Sequence, residues 1–399
     1  MSKKGKKKNQ DKRQGVVVTP SKSFTPVNEY LCVRGPIYGP SGYARMTRNV
    51  IEGLHKAGKR FWIDILPWAV QPSIEVTEEF KNIIVANMPT REDAQRTNDL
   101  LIIALPTDIP NRPLAPNTWN MTLFETTRIP AEWIKLLNYL PLDGNIRTPA
   151  IKGLILPSKG NLESFGEVIH KKKIVPLAID YDIFNPDGPA MNDYLPERGT
   201  FNILLSYHQN PRKNSEFAIR LINELDSGTT VYLKTFGQGM STWERESIIK
   251  GIKGKMKSDA AIVLLYDMIS DEDQAKMYRS MDLVLNLSHG EGWDLPRCEA
   301  YACGVPAIGP LFIAPEDYTI PEFRLISHNL VPCPEMPPYF SSSAKWAELD
   351  LIDCIQAVGK IRDNREKYRG LALKQREHLI QHTGTLADMG ERVWNAIMG

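Results

Sequence analysis

The stretch "HGEGWDLPRCEAYACGVPAIG", His289 to Gly309, places Glu291 and Glu299 eight positions apart, one in a glycine-rich loop and one on a helix. Pro296 suits the first position of that helix, because its missing N–H is one that a helix start leaves unbonded anyway. Gly304 suits the stop, where the left-handed conformation is easiest without a Cβ. Glu299 then falls in the first turn. Taken singly, it is a carboxylate that complements the helix dipole, and Glu291 is a loop carboxylate. Taken together they say more. The loop leaves the carboxyl end of the apolar strand "DLVLNLS", and the helix start directs its N–H groups the same way, which suits a phosphate. Two carboxylates beside such a site can each accept paired hydrogen bonds from vicinal hydroxyls, which sugars and riboses offer.

Outward from this stretch, short apolar runs alternate with helical ones. "EYLCVRG" reads as a buried strand, "PIYGPSG" as a turn, and "YARMTRNVIEGLHKAG" as a helix on which Met46, Val50 and Leu54 share a face. Ser41 is placed to cap that helix and Gly58 to end it. "RFWIDILPW", "DLLIIALP", "WNMTLFETT", "IKGLILPS" and "KKIVPLAID" continue the strand series, with "AEWIKLLNYL" a helix opened by Pro130. "FNPDGPAMNDYLPERGT", Phe184 to Thr200, reads as a linker. A second alternating series follows it, from "FNILLSY" to "VPAIG". "VPCPEMPPYFSSS" reads as a loop and everything from Trp346 onward as helical. The expected architecture is α/β, with two Rossmann-like units of mostly parallel sheet facing across a cleft, and a ligand beyond the carboxyl ends of the strands.

The full string resembles the donor-site segment of glycosyltransferase family 4, retaining enzymes of the GT-B fold. Their pattern is E-G-F/W-G-L-P-x-x-E-A-x-A-x-G-x-P-V-I, the E-x7-E motif. Glu291, Gly292, Trp293, Leu295, Pro296, Glu299, Ala300, Ala302, Gly304, Pro306 and Ile308 match it. The resemblance implies that Glu291 contacts the transferred sugar and Glu299 the ribose hydroxyls. "YGPSGYARMTRNVIEGLHKAG" looks like the family's first loop and helix, where Gly39, Ser41 and Gly42 would let the backbone approach the donor. The "TLFETTRIP" to "LILPSKGNLESF" stretch and "IVPLAIDYDIFNP" resemble the acceptor-domain segments. The implied division is a basic arm over 1–25, an acceptor domain over 26–185, a nucleotide-sugar domain over 186–375 and a returning C-terminal helix over 376–399.

Two positions depart from the pattern. Asp294 stands where the family has Gly. Asp tolerates the left-handed region better than most residues, and its carboxylate is in a position to meet a sugar hydroxyl. In "SYHQNPRKNSE", Lys213 keeps the family's diphosphate lysine, but His208 sits at the arginine position and Arg212 is the expected replacement. Two cations neutralise the leaving diphosphate better than one. Glu125 follows the strand "TLF" and is expected to face the cleft from the first domain, toward sugar or acceptor. "DED" (Asp271–Asp273) follows Ser270 and reads as a capped helix start, and "DYD" (Asp180–Asp182) as part of the interdomain segment. Neither is taken as a metal site, and the resemblance implies a metal-independent enzyme with a UDP- or GDP-linked sugar as co-substrate.

The five cysteines are scattered, odd in number and without a C-x-x-C pair, which argues against a disulfide framework and a structural zinc site and fits a reducing, cytoplasmic setting. No apolar run is long enough to span a bilayer, and the lysine-rich start lacks the apolar segment of a signal peptide. Lys3 to Arg13 holds seven basic residues and one acid, so the overall +2 leaves the remaining chain acidic. That arm reads either as a solubility tail or as a polyanion contact, with nucleic acid or an acidic membrane surface, and a hydroxymethylated base in viral DNA is one acceptor it suggests. The acidic remainder argues against a broad phosphate-binding face. Glycan, lipid or protein acceptors, a nucleotide-sugar epimerase or hydrolase, and a non-catalytic sugar-binding module are the alternatives.

Overall fold

The computed structural model describes residues 30–68, 76–89, 98–111, 114–138, 151–191, 201–208, 210–235, 242–265 and 269–399. The basic arm and residues 192–200 of the linker lie outside the described residues.

Strands β1 (Leu31–Gly35), β2 (Phe61–Ile65), β3 (Asp99–Ile103), β4 (Asn117–Met121), β5 (Gly153–Leu156) and β6 (Lys171–Ile174) form one parallel sheet in the order β2-β1-β3-β4-β5-β6. "DLLII" and "GLIL" are buried at every position. That is the mark of parallel strands covered on both faces, and each fully buried Leu or Ile contributes roughly 1.5–3 kcal/mol. The covering helices are α1 (Gly42–Lys56), α2 (Glu78–Ala86), α3 (Ala131–Asn138) and α4 (Lys159–Ser164). Ser41 caps α1 by accepting from the Ala44 N–H at 3.2 Å.

Strands β7 (Phe201–Ser206), β8 (Thr229–Lys234), β9 (Ala261–Leu265), β10 (Leu283–Leu285) and β11 (Ala307–Ile308) form the second parallel sheet, in the order β11-β10-β7-β8-β9. Helices α5 (Ser215–Ile222), α6 (Thr242–Lys255), α7 (Asp271–Arg279) and α8 (Leu295–Ala302) follow its strands. The expected class, two Rossmann-like α/β domains, is what the chain adopts. Strand order reverses between β1 and β3 in the first sheet and between β7 and β10 in the second. Loops leave a parallel sheet in opposite directions at such a point and open a crevice there. The β7 loop carries His208, Arg212 and Lys213, and the β10 loop carries Glu291.

After the short helix α9 (Pro315–Tyr318), residues read as loop and helix instead form an antiparallel hairpin of β12 (His328–Pro332) and β13 (Lys345–Leu349). Trp346 is therefore a strand residue. Helix α10 (Leu351–Arg362) starts only after Asp350, whose side chain accepts from the Asp353 N–H at 3.0 Å. The pattern from Trp346 misleads because β13 is too short to display its own period. Tertiary partners decide it: Ala347 N–H donates to His289 O at 2.8 Å, and Thr127 N–H donates to Lys345 O at 3.0 Å. The hairpin thereby joins a loop of the second domain to a loop of the first. Its Phe340 and Trp346 share a hydrophobic cluster with Phe124, Ile129 and Trp133 of the first domain.

Helices α11 (Arg365–Thr383) and α12 (Leu386–Ile397) complete the chain. Thr385 and Asp388 form a capping box at the start of α12. This helix lies back on α1, and its Leu386, Met389 and Val393 join Val50, Ile51 and Leu54 in one core. The two backbones touch: a Cβ on Gly53 would sit 2.4 Å from Leu386 O.

Candidate active site

The opening stretch folds as a loop and a helix whose start is set one residue earlier than its pattern suggests. Helix α8 begins at Leu295, so Pro296 is its second residue and Glu299 its fifth. Asp294, the residue before the helix, is itself at φ 71°, ψ 59°, a left-handed conformation that Asp tolerates. Gly304 stops the helix at φ 69°.

Glu291 lies between two cations. Lys213 Nζ is 2.6 Å from its Oε1 and Arg212 Nη1 is 3.0 Å from its Oε2. Arg212 Nη1 also donates to Gly290 O at 2.7 Å, and His289 N–H donates to Arg212 O at 2.8 Å. The β7 and β10 loops are thus tied to each other by backbone as well as charge. Burial pushes the Glu291 carboxyl up, but Arg212 and Lys213 overcome this and hold it well below the usual carboxylate range. Glu125 reaches Arg212 from the first domain, with Oε1 3.6 Å from Arg212 Nη2. Burial raises its pKa, Arg212 lowers it, and the negative Glu291 raises it again. Two carboxylates and two cations so face each other across the domain boundary.

His208 does not add a third cation. Burial, together with Lys213 and Arg212, pushes its pKa down to about 4, so the imidazole is neutral at physiological pH. Arg212 and Lys213 carry the positive charge at the end of β7.

Glu299 is buried, and both its oxygens are engaged. Oε2 accepts from Gln274 Nε2 at 2.5 Å and from the Tyr278 hydroxyl at 2.9 Å. Oε1 lies 3.8 Å from Arg45 Nη1, which crosses from α1 and pairs with Asp271 at 2.5 Å. Burial raises the Glu299 pKa, and Arg45 opposes the rise. Lys234, at the end of β8, donates to Gln274 Oε1 at 2.6 Å. Arg45, Lys234, Gln274 and Tyr278 were not anticipated from the sequence. The one legible sign was a lysine ending the apolar run "VYL".

The remaining expected residues separate into two groups. Gly39, Ser41 and Gly42 form the turn into α1, and a Cβ on Gly42 would meet nothing within 4 Å, so the turn leaves room beside it. Leu295 is half-buried. Gly290 and Gly292 are pressed by the first domain: a Cβ on Gly290 would lie 2.0 Å from Glu125 O, and one on Gly292 would lie 2.3 Å from Leu123 Cδ1. Asn161 Nδ2 also donates to Gly292 O at 2.7 Å. Trp293 and Asp294, in contrast, turn inward. The Trp293 ring packs against Tyr318 and His382. The Asp294 side chain is fully inaccessible and pairs with the equally buried Arg297 at 2.8 Å. The left-handed backbone sets Asp294 Oδ2 beside Arg297 of α8, while its Oδ1 is buried without a hydrogen-bond partner.

Ile313 stands beside Glu291 at φ 71°. A β-branched residue there is strained, at a cost of order 1–3 kcal/mol. Its backbone is pressed against Gly160 of α4, where a Cβ would come within 2.3 Å of Ile313 O.

Among the described residues no group of three or more His, Cys, Asp or Glu side chains is arranged to hold a metal ion, and no helix is long and apolar enough to cross a membrane.

No family model and no curated protein matches the chain. Solved structures do. HepE of Anabaena, in complex with UDP and glucose, superposes with a TM-score of 0.63 at 10% identity, over 92% of this chain and 99% of that one. Sucrose-phosphate synthase of Thermosynechococcus elongatus gives 0.59 at 14% identity, over 92% and 98%. The trehalose-6-phosphate synthase OtsA gives 0.58 at 11% identity, over 92% and 98%. The chain has the GT-B fold.

Proposed function

We propose that this chain is a retaining glycosyltransferase that moves a sugar from a nucleotide sugar to an acceptor hydroxyl. The single observation that carries the reading is Glu291, a half-buried carboxylate held charged by Arg212 and Lys213 at the switch point of the second sheet. The same fold in structures solved with UDP-glucose and with UDP and glucose supports it.

In this reading the diphosphate settles between the start of α8 and the two cations, and Arg212 and Lys213 stabilise its charge as the sugar bond breaks. Glu291 then meets the sugar and Glu299 the ribose. Glu125, on the acceptor side of Arg212, orients the incoming hydroxyl, and the departing phosphate takes its proton on the face it leaves. The domains supply positioning. The scheme uses the two cations and the helix start in place of a metal. For the acceptor, the basic Lys3–Arg13 arm favours DNA bearing a hydroxymethylated base, extruded from its stack to reach the cleft.

The test is a panel of UDP- and GDP-sugars incubated with the protein, with and without hydroxymethylated DNA, with products read by mass spectrometry. Sugar on the base, lost in Glu291→Ala and Lys213→Ala, is expected. Donor consumption without an acceptor would indicate an epimerase or hydrolase instead. Unchanged turnover in both variants would end the donor-site assignment.

A further inference from the structure

We infer that Lys234 is a specificity-determining residue of the nucleotide subsite, donating a hydrogen bond to a ribose hydroxyl that Glu299 accepts from. The inference rests on the donor-site reading of Glu299 and adds to it a residue that the donor motif does not contain.

Lys234 ends β8 in register with Ser206, the last residue of β7. Its side chain therefore starts at the carboxyl edge of the sheet, next to the loop that carries Arg212 and Lys213. One neutral amide holds it to Glu299: Lys234 Nζ donates to Gln274 Oε1 at 2.6 Å, and Gln274 Nε2 donates to Glu299 Oε2 at 2.5 Å. Among the described residues Lys234 makes no ion pair, and Gln274 takes only one of its three ammonium protons. Burial lowers its pKa to about 8, with Glu299 acting against this and Arg45 with it. A cation kept in such a place without a counter-ion in contact costs folding stability, and such groups concentrate at functional sites.

The neighbours select the ligand chemistry. Glu299 and Asp271 are both acidic, so a phosphate seated among them is repelled, whereas a neutral diol is not. A hydroxyl that donates to a carboxylate still carries lone pairs that need a donor once water is excluded. Lys234 supplies that donor from the same wall as Glu299. Arg45 marks the direction from which the hydroxyl arrives. It approaches Glu299 Oε1 from the opposite domain but only to 3.8 Å, beyond hydrogen-bond length, and its close partner is Asp271. A ribose hydroxyl takes over at Glu299 while Arg45 keeps Asp271.

The experiment is isothermal titration calorimetry of UDP and GDP and of their 2′-deoxy and 3′-deoxy forms, on the wild type, Lys234→Met and Lys234→Gln. Thermal melting checks the fold. The wild type is expected to prefer the ribonucleotide over at least one deoxy form by about tenfold. That preference should fall to about twofold or less in both variants. Folded variants that keep the full preference would overturn the inference, as would a wild type that does not discriminate. A wild type that binds none of these nucleotides would overturn the donor-site reading itself, which is a separate outcome.

Discussion

Gly290→Ala tests how the two domains meet. The added Cβ would stand 2.0 Å from Glu125 O and 3.2 Å from Phe312 Cδ1, and real Cβ contacts stay beyond 3.0 Å, so the Glu125 loop must retreat by about 1 Å. The carbonyl that has to move belongs to Glu125 itself, and the loop is tied by Thr127 to β13 and by Phe124 N–H to Asn161 Oδ1 at 2.7 Å. It cannot swing freely, so overpacking of this kind costs about 1–3 kcal/mol. A displacement of about 1 Å at a reacting group lowers turnover on the order of 10²-fold. Gly251→Ala is the matched control: a Cβ there meets nothing within 4 Å, and a helix interior gains about 0.5–1 kcal/mol from Ala over Gly. The assays are thermal melting and initial rates with the donor and acceptor found by the panel. The Gly290 variant should melt a few degrees low and turn over far more slowly, while the Gly251 variant melts slightly high at full rate. A Gly290→Ala protein with wild-type melting and turnover would refute the close interdomain contact.

Glu291→Gln should bind UDP more tightly, by about tenfold, because its carboxylate no longer competes with the diphosphate for Arg212 and Lys213, yet transfer should fall about 10²–10³-fold; calorimetry and steady-state rates separate the two. His208 has a folded pKa near 4 against an ordinary 6.5, so the unfolded chain binds the proton more readily and stability falls as pH drops through that window. The loss is at most about 3 kcal/mol before the discount for partial exposure, and His208→Asn should flatten that part of the denaturation-versus-pH curve. Asp294→Asn tolerates the left-handed backbone but leaves the buried Arg297 without its counter-charge. It should cost about 3–5 kcal/mol in urea unfolding, with Arg297→Met added to it recovering most of the loss.

The elements most legible in the sequence are those whose signal is local. The helix start within one residue of Pro296, the stop at Gly304, the cap at Ser41 and the fully apolar strands follow from backbone chemistry within a few residues. The positions of Arg212, Lys213 and Glu291 beyond strand ends also follow, because a strand's direction states where its loop leaves. Asp294 is half legible: its type announces the left-handed conformation, but not that its carboxylate turns toward Arg297. Trp346 is not legible, since a five-residue strand held by His289 and Thr127 has no period strong enough to compete with the helical pattern after it.

By itself, then, the sequence determined the alternation of strands and helices, the two sheets, and the loop-and-helix unit that carries Glu291 and Glu299. These depend on hydrophobic period and on the special backbones of Gly, Pro and Asp, which act over short distances. Only the tertiary structure decided that Glu125 shares Arg212 with Glu291, that Arg45 crosses the cleft to Asp271, and that Lys234 stands beside Gln274 and Glu299. Those pairings join residues 40 to 226 positions apart, and electrostatic partners at such separations are set by how the domains pack, which no local pattern encodes.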